Sequence, residues 1–128
     1  MTKNLLAIIG GSGLYEIEEL SDVKYLNIET PWGSPSDKII KAKYKTKDVI
    51  FLPRHGKGHF ISPTNINYRA NIDALKQLGV TDIVSISAVG SLKEELHPGL
   101  FVIDDKFIDR TFARSKTFFE DEIVAHVY

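Results

Sequence analysis

The sequence predicts an α/β fold on a single mixed sheet, and three features lead there. Short, continuously apolar runs stop abruptly at glycine or proline, the pattern of strands covered on both faces. A strand–helix–strand unit spans Val49 to Val89, long enough for a parallel crossover. The first half is richer in strands than in helices, so the sheet is mixed rather than purely parallel. At 128 residues the chain has the size of one domain, and no repeat, low-complexity tract or linker divides it.

In chain order, Leu5–Ile9 is apolar throughout and ends at Gly10-Gly11-Ser12-Gly13, which marks a buried strand. Val23–Thr30 and Lys38–Tyr44 are moderately amphipathic strands. Between them Pro31 to Asp37 is a loop, because two prolines and a glycine remove donors and permit turn angles. Val49–Leu52 is a further buried strand, closed by Pro53. After an irregular stretch from Arg54 to Asn65, Tyr68, Ile72, Leu75 and Leu78 recur at helical spacing along one face. Asn67 is the expected N-cap, its side-chain oxygen accepting from a first-turn amide, and Gly79 the expected left-handed stop. Ile83–Val89 is the next strand, ended by Gly90. Beyond the Pro98-Gly99 turn, Leu100–Ile108 is the last expected strand.

Composition narrows the partners. Lys and Arg total 16 against 17 for Asp and Glu, a net charge of −1. No field of one sign surrounds the molecule, which argues against nucleic acid and anionic membrane, so any anion must be held by local donors. The early apolar run is too short for a secretion signal or a membrane span. Without cysteine there is neither a disulfide framework nor a thiolate zinc site, and no histidine–carboxylate cluster has metal-ligand spacing. A cytoplasmic setting fits these features.

Three segments carry candidate chemistry. Gly10 to Gly13 leaves a buried strand, where backbone amides can converge on an anion and Ser12 adds a hydroxyl; a turn chosen only for its backbone angles has the same composition. Arg54 follows the next strand directly. Its planar fork matches two oxygens of a phosphate, and His55 beside it offers a further donor. An arginine salt-bridged on the sheet rim, with its histidine solvated, fits the same residues, and His59 is expected at the surface or behind the ligand-facing groups. Ser87-Ala88-Val89-Gly90 is the third, where small residues leave room for a ligand or simply end a strand. All three lie just past strand carboxyl ends, where α/β sheets bind ligands. Asp109 and Arg110 are expected to form a structural ion pair.

Ile8 to Leu14, Arg54-His55-Gly56, Asn67 to Asn71, Ser87 to Leu92 and Asp104 to Thr111 together resemble, in this order, the methylthioadenosine phosphorylases of the trimeric purine nucleoside phosphorylase superfamily. The resemblance implies a nucleoside phosphorylase-like α/β fold with a mixed, mostly parallel sheet flanked by helices. Residues 1–128 are then the N-terminal part of one such domain, incomplete at the C-terminal end. It implies phosphorolysis of S-methyl-5'-thioadenosine to adenine and 5-methylthioribose 1-phosphate, with inorganic phosphate as co-substrate and no metal or cofactor. Ser12, Arg54, His55, Ser87 and Ala88 would bind phosphate. Ala88, Val89, Gly90 and His126 would line the nucleoside, with His126 reaching a neighbouring subunit's 5'-substituent pocket in a homotrimer. Family chains are about twice as long, and the carboxylate that activates the base belongs to their other half. The expectation is therefore a fragment that holds phosphate but has no base-activating group. The alternatives are a phosphorylase of 6-oxopurine nucleosides or methylthioinosine, and a non-catalytic phosphate-binding module.

Overall fold

The computed structural model describes residues 4–11, 13 and 17–119. Five strands form one sheet: β1 (Leu6–Gly10), β2 (Leu20–Leu26), β3 (Ile39–Tyr44), β4 (Lys47–Pro53) and β5 (Asp82–Ser85). Their order across the sheet is β2-β3-β4-β1-β5. β1 lies parallel to β4 and to β5, whereas β2–β3 and β3–β4 are antiparallel. The sheet is mixed, as expected, with its parallel part confined to β4-β1-β5.

This arrangement follows from local sequence. β3 and β4 are joined by a tight turn at Lys45-Thr46, with Lys45 in the left-handed region at φ 54°. β4 is the most buried strand, with Val49 to Pro53 all buried, which suits its position between two neighbours. Two apolar clusters form on the sheet. Ala7, Ile39, Ile50 and Leu52 pack against Ala74 and Leu75 of the helix α1 (Tyr68–Gln77). Ile40, Ala42, Val49 and Phe51 form the second cluster, with Ile8 and Leu20 beside it.

α1 begins where the sequence places it. Asn67 Oδ1 accepts from Ala70 N at 3.1 Å, filling one of the amides that a helix start leaves open. It ends at Gly79, which takes φ 78°, and Val80 N reaches back to Leu75 O at 3.2 Å, the closing bond of a Schellman turn. The buried face is only partly the expected one: Leu75 is in the core and Leu78 packs against it, but Tyr68 and Ile72 are not. Ala70, Asn71, Ala74 and Leu75 are buried, while Tyr68 and Ile72 are 39% and 38% exposed. Small alanines let the helix backbone approach the sheet closely, so the stripe is set by size rather than by hydrophobic bulk.

Three expected strands are corrected. The strand expected at Val23–Thr30 is Leu20–Leu26, the stretch that pairs with β3. Ile83–Val89 is paired only as far as Ser85, with one further bond from Ile86 N to Ile9 O at 2.8 Å. Leu100–Ile108 forms no strand. A strand persists only where a neighbour completes its ladder, and no described residue pairs with this segment. Its side chains are exposed accordingly, Phe101 at 91% and Ile103 at 97%. The expected Asp109–Arg110 pair is also replaced. Asp109 binds Lys116 at 2.8 Å and accepts from the Thr111 amide and hydroxyl, because a turn brings those groups onto it. The end of the described chain folds back on the helix start: Phe118 meets Trp32 edge-on at 5.3 Å, and Arg114 lies over the Tyr68 ring.

Candidate anion site at the carboxyl ends of the parallel strands

The parallel register brings three strand exits to one edge. Gly10 of β1 stands opposite Pro53 of β4, and Ile9 opposite Ser85 of β5. Hydrogen bonds then tie the residues just beyond. Arg54 N donates to Gly10 O at 3.0 Å, Ile86 N to Ile9 O at 2.8 Å, and Arg54 Nη1 to Ile86 O at 2.6 Å. Arg54 therefore crosses over the exit of β1 and reaches that of β5.

Arg54 is half-buried and has no carboxylate partner among the described residues; a neutral carbonyl and a histidine hold it instead. Its Nε donates to His55 Nε2 at 3.2 Å. His55 is itself buried, with Nδ1 at 2.8 Å from Ile61 O. A carbonyl only accepts, so Nδ1 carries the proton and Nε2 is the acceptor for the arginine. The rim salt bridge and the solvated histidine are thus both replaced by an ordered arginine–histidine pair. Two of the five guanidinium N–H groups are used in this way, and the other three have no hydrogen-bond partner among the described residues. His59 is exposed, in keeping with the surface placement expected as one of its two positions, and stacks on His55, ring centroids 4.4 Å apart.

The turn bearing this pair is held closely. Gly56 N bonds to Pro53 O, His59 N to Gly56 O and Ile61 N to His55 O, each at 3.1 Å. Gly56 takes φ 70°, and a Cβ there would stand 3.2 Å from Ser36 O, so both conformation and space call for glycine.

Ser87, Ala88, Val89 and Gly90 continue from Ile86 as exposed, irregular chain, next in sequence to the carbonyl that Arg54 grips. Ser12 and His126 lie outside the described residues, although Gly11 and Gly13 flank Ser12 at the β1 exit. The site is an open rim: shallow clefts found elsewhere, beside Asn67, Arg69 and Arg114 and beside Lys24 and Lys41, include none of its residues. Among the described residues no group of acidic and histidine side chains is placed to hold a metal ion, and no helix is long and apolar enough to cross a membrane. Sequence reasoning missed Asp37 and Asn71, which fasten the Arg54 turn to α1; a polar residue on the sheet-facing side of a helix is the signal that marks Asn71.

Comparison with known proteins identifies the family. Residues 5–128 match the model of the Phosphorylase superfamily. The chain is 58% identical over 125 residues to an S-methyl-5'-thioadenosine phosphorylase of Cereibacter sphaeroides, covering 98% of this chain and 43% of that protein. A relative of the same name from Hyperthermus butylicus is 57% identical over 122 residues, covering 95% and 44%. Among solved structures, the apo methylthioadenosine phosphorylase of Schistosoma mansoni superposes with a TM-score of 0.86 at 43% identity, covering 94% of this chain and 43% of that one. The chain thus spans less than half the length of the curated relatives it matches.

Proposed function

The chain belongs to the phosphorylase superfamily, and we propose that within it the rim around Arg54 is the phosphate half of an S-methyl-5'-thioadenosine phosphorylase site. The observation that supports this most directly is the guanidinium bridging the exits of β4 and β5 across β1, with donors to spare. The names of relatives more than 50% identical point the same way. In this reading Arg54 binds two phosphate oxygens with its outer edge. The Gly10–Gly13 turn with Ser12, and Ser87 with Ala88, add hydroxyl and amide donors. His55, which the resemblance also assigns to phosphate, holds the guanidinium at Nε so that the free edge faces the anion.

The reaction is a displacement at the anomeric carbon. A phosphate oxygen forms the new C–O bond as the C–N bond to the purine breaks, and the electron pair leaves with the base. Positive charge grows on the sugar in between, so a phosphate dianion fixed beneath it is both nucleophile and electrostatic partner. No metal or cofactor takes part. The resemblance assigns the group that receives the base to the portion of the family fold that this chain does not align with, and Val89, Gly90 and His126 to the nucleoside pocket. A cytoplasmic homotrimer completes the reading.

The test is phosphate-dependent turnover with S-methyl-5'-thioadenosine and inosine side by side, paired with direct phosphate binding. Adenine release confined to the first substrate, abolished in Arg54→Ala, is the expected result for a complete catalytic unit. Phosphate binding that Arg54→Ala removes, without turnover of either nucleoside, would identify a phosphate-binding half-site. Phosphate affinity unaffected by Arg54→Ala would overturn the assignment, and hypoxanthine release alone would reassign the chain to 6-oxopurines.

A further inference from the structure

The Arg54 turn is fastened from outside by two residues that no reading of the phosphate site includes. Asp37 closes the loop before β3. Its Oδ2 accepts from the backbone amide of Lys57 at 2.5 Å, and its Oδ1 accepts from Lys38 N at 2.6 Å. Lys57 is three residues beyond Arg54, inside the turn closed by the Gly56–Pro53 and Ile61–His55 bonds. The loop carrying Asp37 is in turn anchored on α1. Asn71, only 2% exposed, accepts from Ser36 N at 2.8 Å and donates from Nδ2 to Ser36 Oγ at 2.9 Å. Asn67 Nδ2 donates to Trp32 O at 2.7 Å near the loop's other end. Hydrogen bonds from the buried face of α1 to Ser36, and from the adjoining Asp37 to Lys57, thus link the helix through the loop to the turn that carries Arg54.

We propose that Asp37 is a positioning residue for the phosphate site, acting on Arg54 through the backbone of its turn, with Asn71 as the buried anchor. This rests on the phosphate reading of Arg54 given above. A carboxylate suits the task because it only accepts, so its two oxygens meet two amide N–H groups without a competing donor. It also explains a polar side chain on the sheet-facing side of α1: Asn71 satisfies both an amide and a hydroxyl of the loop, which an apolar residue would leave unpaired. With the backbone turn held at Lys57 and the side chain held by His55 and Ile86, the arginine is fixed from both ends.

The experiment measures inorganic phosphate affinity by calorimetry for the wild-type chain, Asp37→Ala, Asp37→Asn and Arg54→Ala. The Arg54 Nε–H resonance is followed by NMR in the wild type and the two Asp37 variants. The expected outcome is about tenfold weaker phosphate binding in Asp37→Ala, the scale of losing a charge-assisted hydrogen bond in a supporting shell. The Arg54 Nε–H signal, sheltered on His55 in the wild type, should shift and exchange faster. Asp37→Asn, which keeps one accepting oxygen, should fall between, and it serves if the alanine variant does not fold. An unchanged Nε–H signal in the folded variants, or a lowered melting temperature at unchanged phosphate affinity, would overturn the positioning role. If Arg54→Ala binds phosphate as well as the wild type does, the phosphate reading fails. The Nε–H signal then decides separately whether Asp37 orders the arginine.

Discussion

The packing of α1 on the sheet gives a sharp quantitative expectation, because the observed buried stripe and the helical spacing of large apolar residues disagree about Ile72. Leu75 is completely buried, wedged with Ala74 among Ala7, Ile39, Ile50 and Leu52. Leu75→Ala removes that side chain from a closely packed site, where such truncations cost roughly 2–5 kcal/mol and about 3 kcal/mol is the central figure. For a domain whose whole stability is on the order of 10 kcal/mol, this is a large fraction. With a urea slope of about 1.5 kcal/mol per molar, the unfolding midpoint should fall by about 2 M. Ile72→Ala removes a side chain already 38% exposed, and alanine's higher helix propensity returns a few tenths, so its cost should stay below about 1 kcal/mol. Urea melts followed by circular dichroism compare the two. Equal losses, or a larger loss at Ile72, would refute the assignment of the buried face.

Three further expectations follow from other parts of the chain. Gly56→Ala places a side chain at φ 70° and within 3.2 Å of Ser36 O, so it should cost about 1–2 kcal/mol of stability and weaken phosphate binding, read by melting and calorimetry. Asp109 is held well below the usual carboxylate range, first by Lys116 and then by Thr111. A depressed folded-state pKa contributes stability above the unfolded value near about 4, and loses it as pH falls toward the folded one; a carbon-detected titration should therefore find its midpoint low, and Lys116→Met should raise it. Lys43 and Asp22 form an exposed pair at 2.9 Å that lowers the Asp22 pKa and raises that of Lys43. Removing Lys43 should move the Asp22 midpoint up, and high salt should shrink the difference.

How much of this was legible in the sequence differs from element to element. β1, β3, β4 and α1 were visible because each combines a local apolar pattern with a clear stop, such as Gly10, Pro53 or Gly79, and because Asn67 is chemically suited to begin a helix. The direction of α1's buried face was legible only in part, at Leu75 and Leu78. Hydrophobic spacing weights Tyr68 and Ile72 above Ala70 and Ala74, whereas close approach to a sheet favours the smaller pair. Leu100–Ile108 has the composition of a strand, but composition reports what a segment can pair with rather than whether a partner is present. Asp109 shows the same limit for charge. Its sequence neighbour Arg110 suggested a pair, yet the backbone turn selects Lys116, seven positions on.

Arg54 stood out as an anion-binding candidate from its place after a buried strand, but the way it would be prepared for that task depends on the tertiary fold. A long, flexible cation binding an anion loses rotamer freedom on doing so, which offsets part of the gain. Here that loss is taken during folding. His55 holds Nε, the Ile86 carbonyl holds Nη1, and the turn beneath is closed by its own backbone bonds and by Asp37. A lysine at position 54 presents a single ammonium on a flexible stem, so it lacks the planar geometry that satisfies His55 and Ile86 while keeping an edge for phosphate. The arrangement also makes the site depend on the β4-β1-β5 register, because Arg54 and Ile86 meet only if both strands end level with β1. A one-residue slip of β5 would turn the carbonyl level with Arg54 toward the strand's outer edge, away from β1, and leave the guanidinium without its second support. Sheet register and the placement of the guanidinium are therefore the same structural requirement, expressed through one side chain.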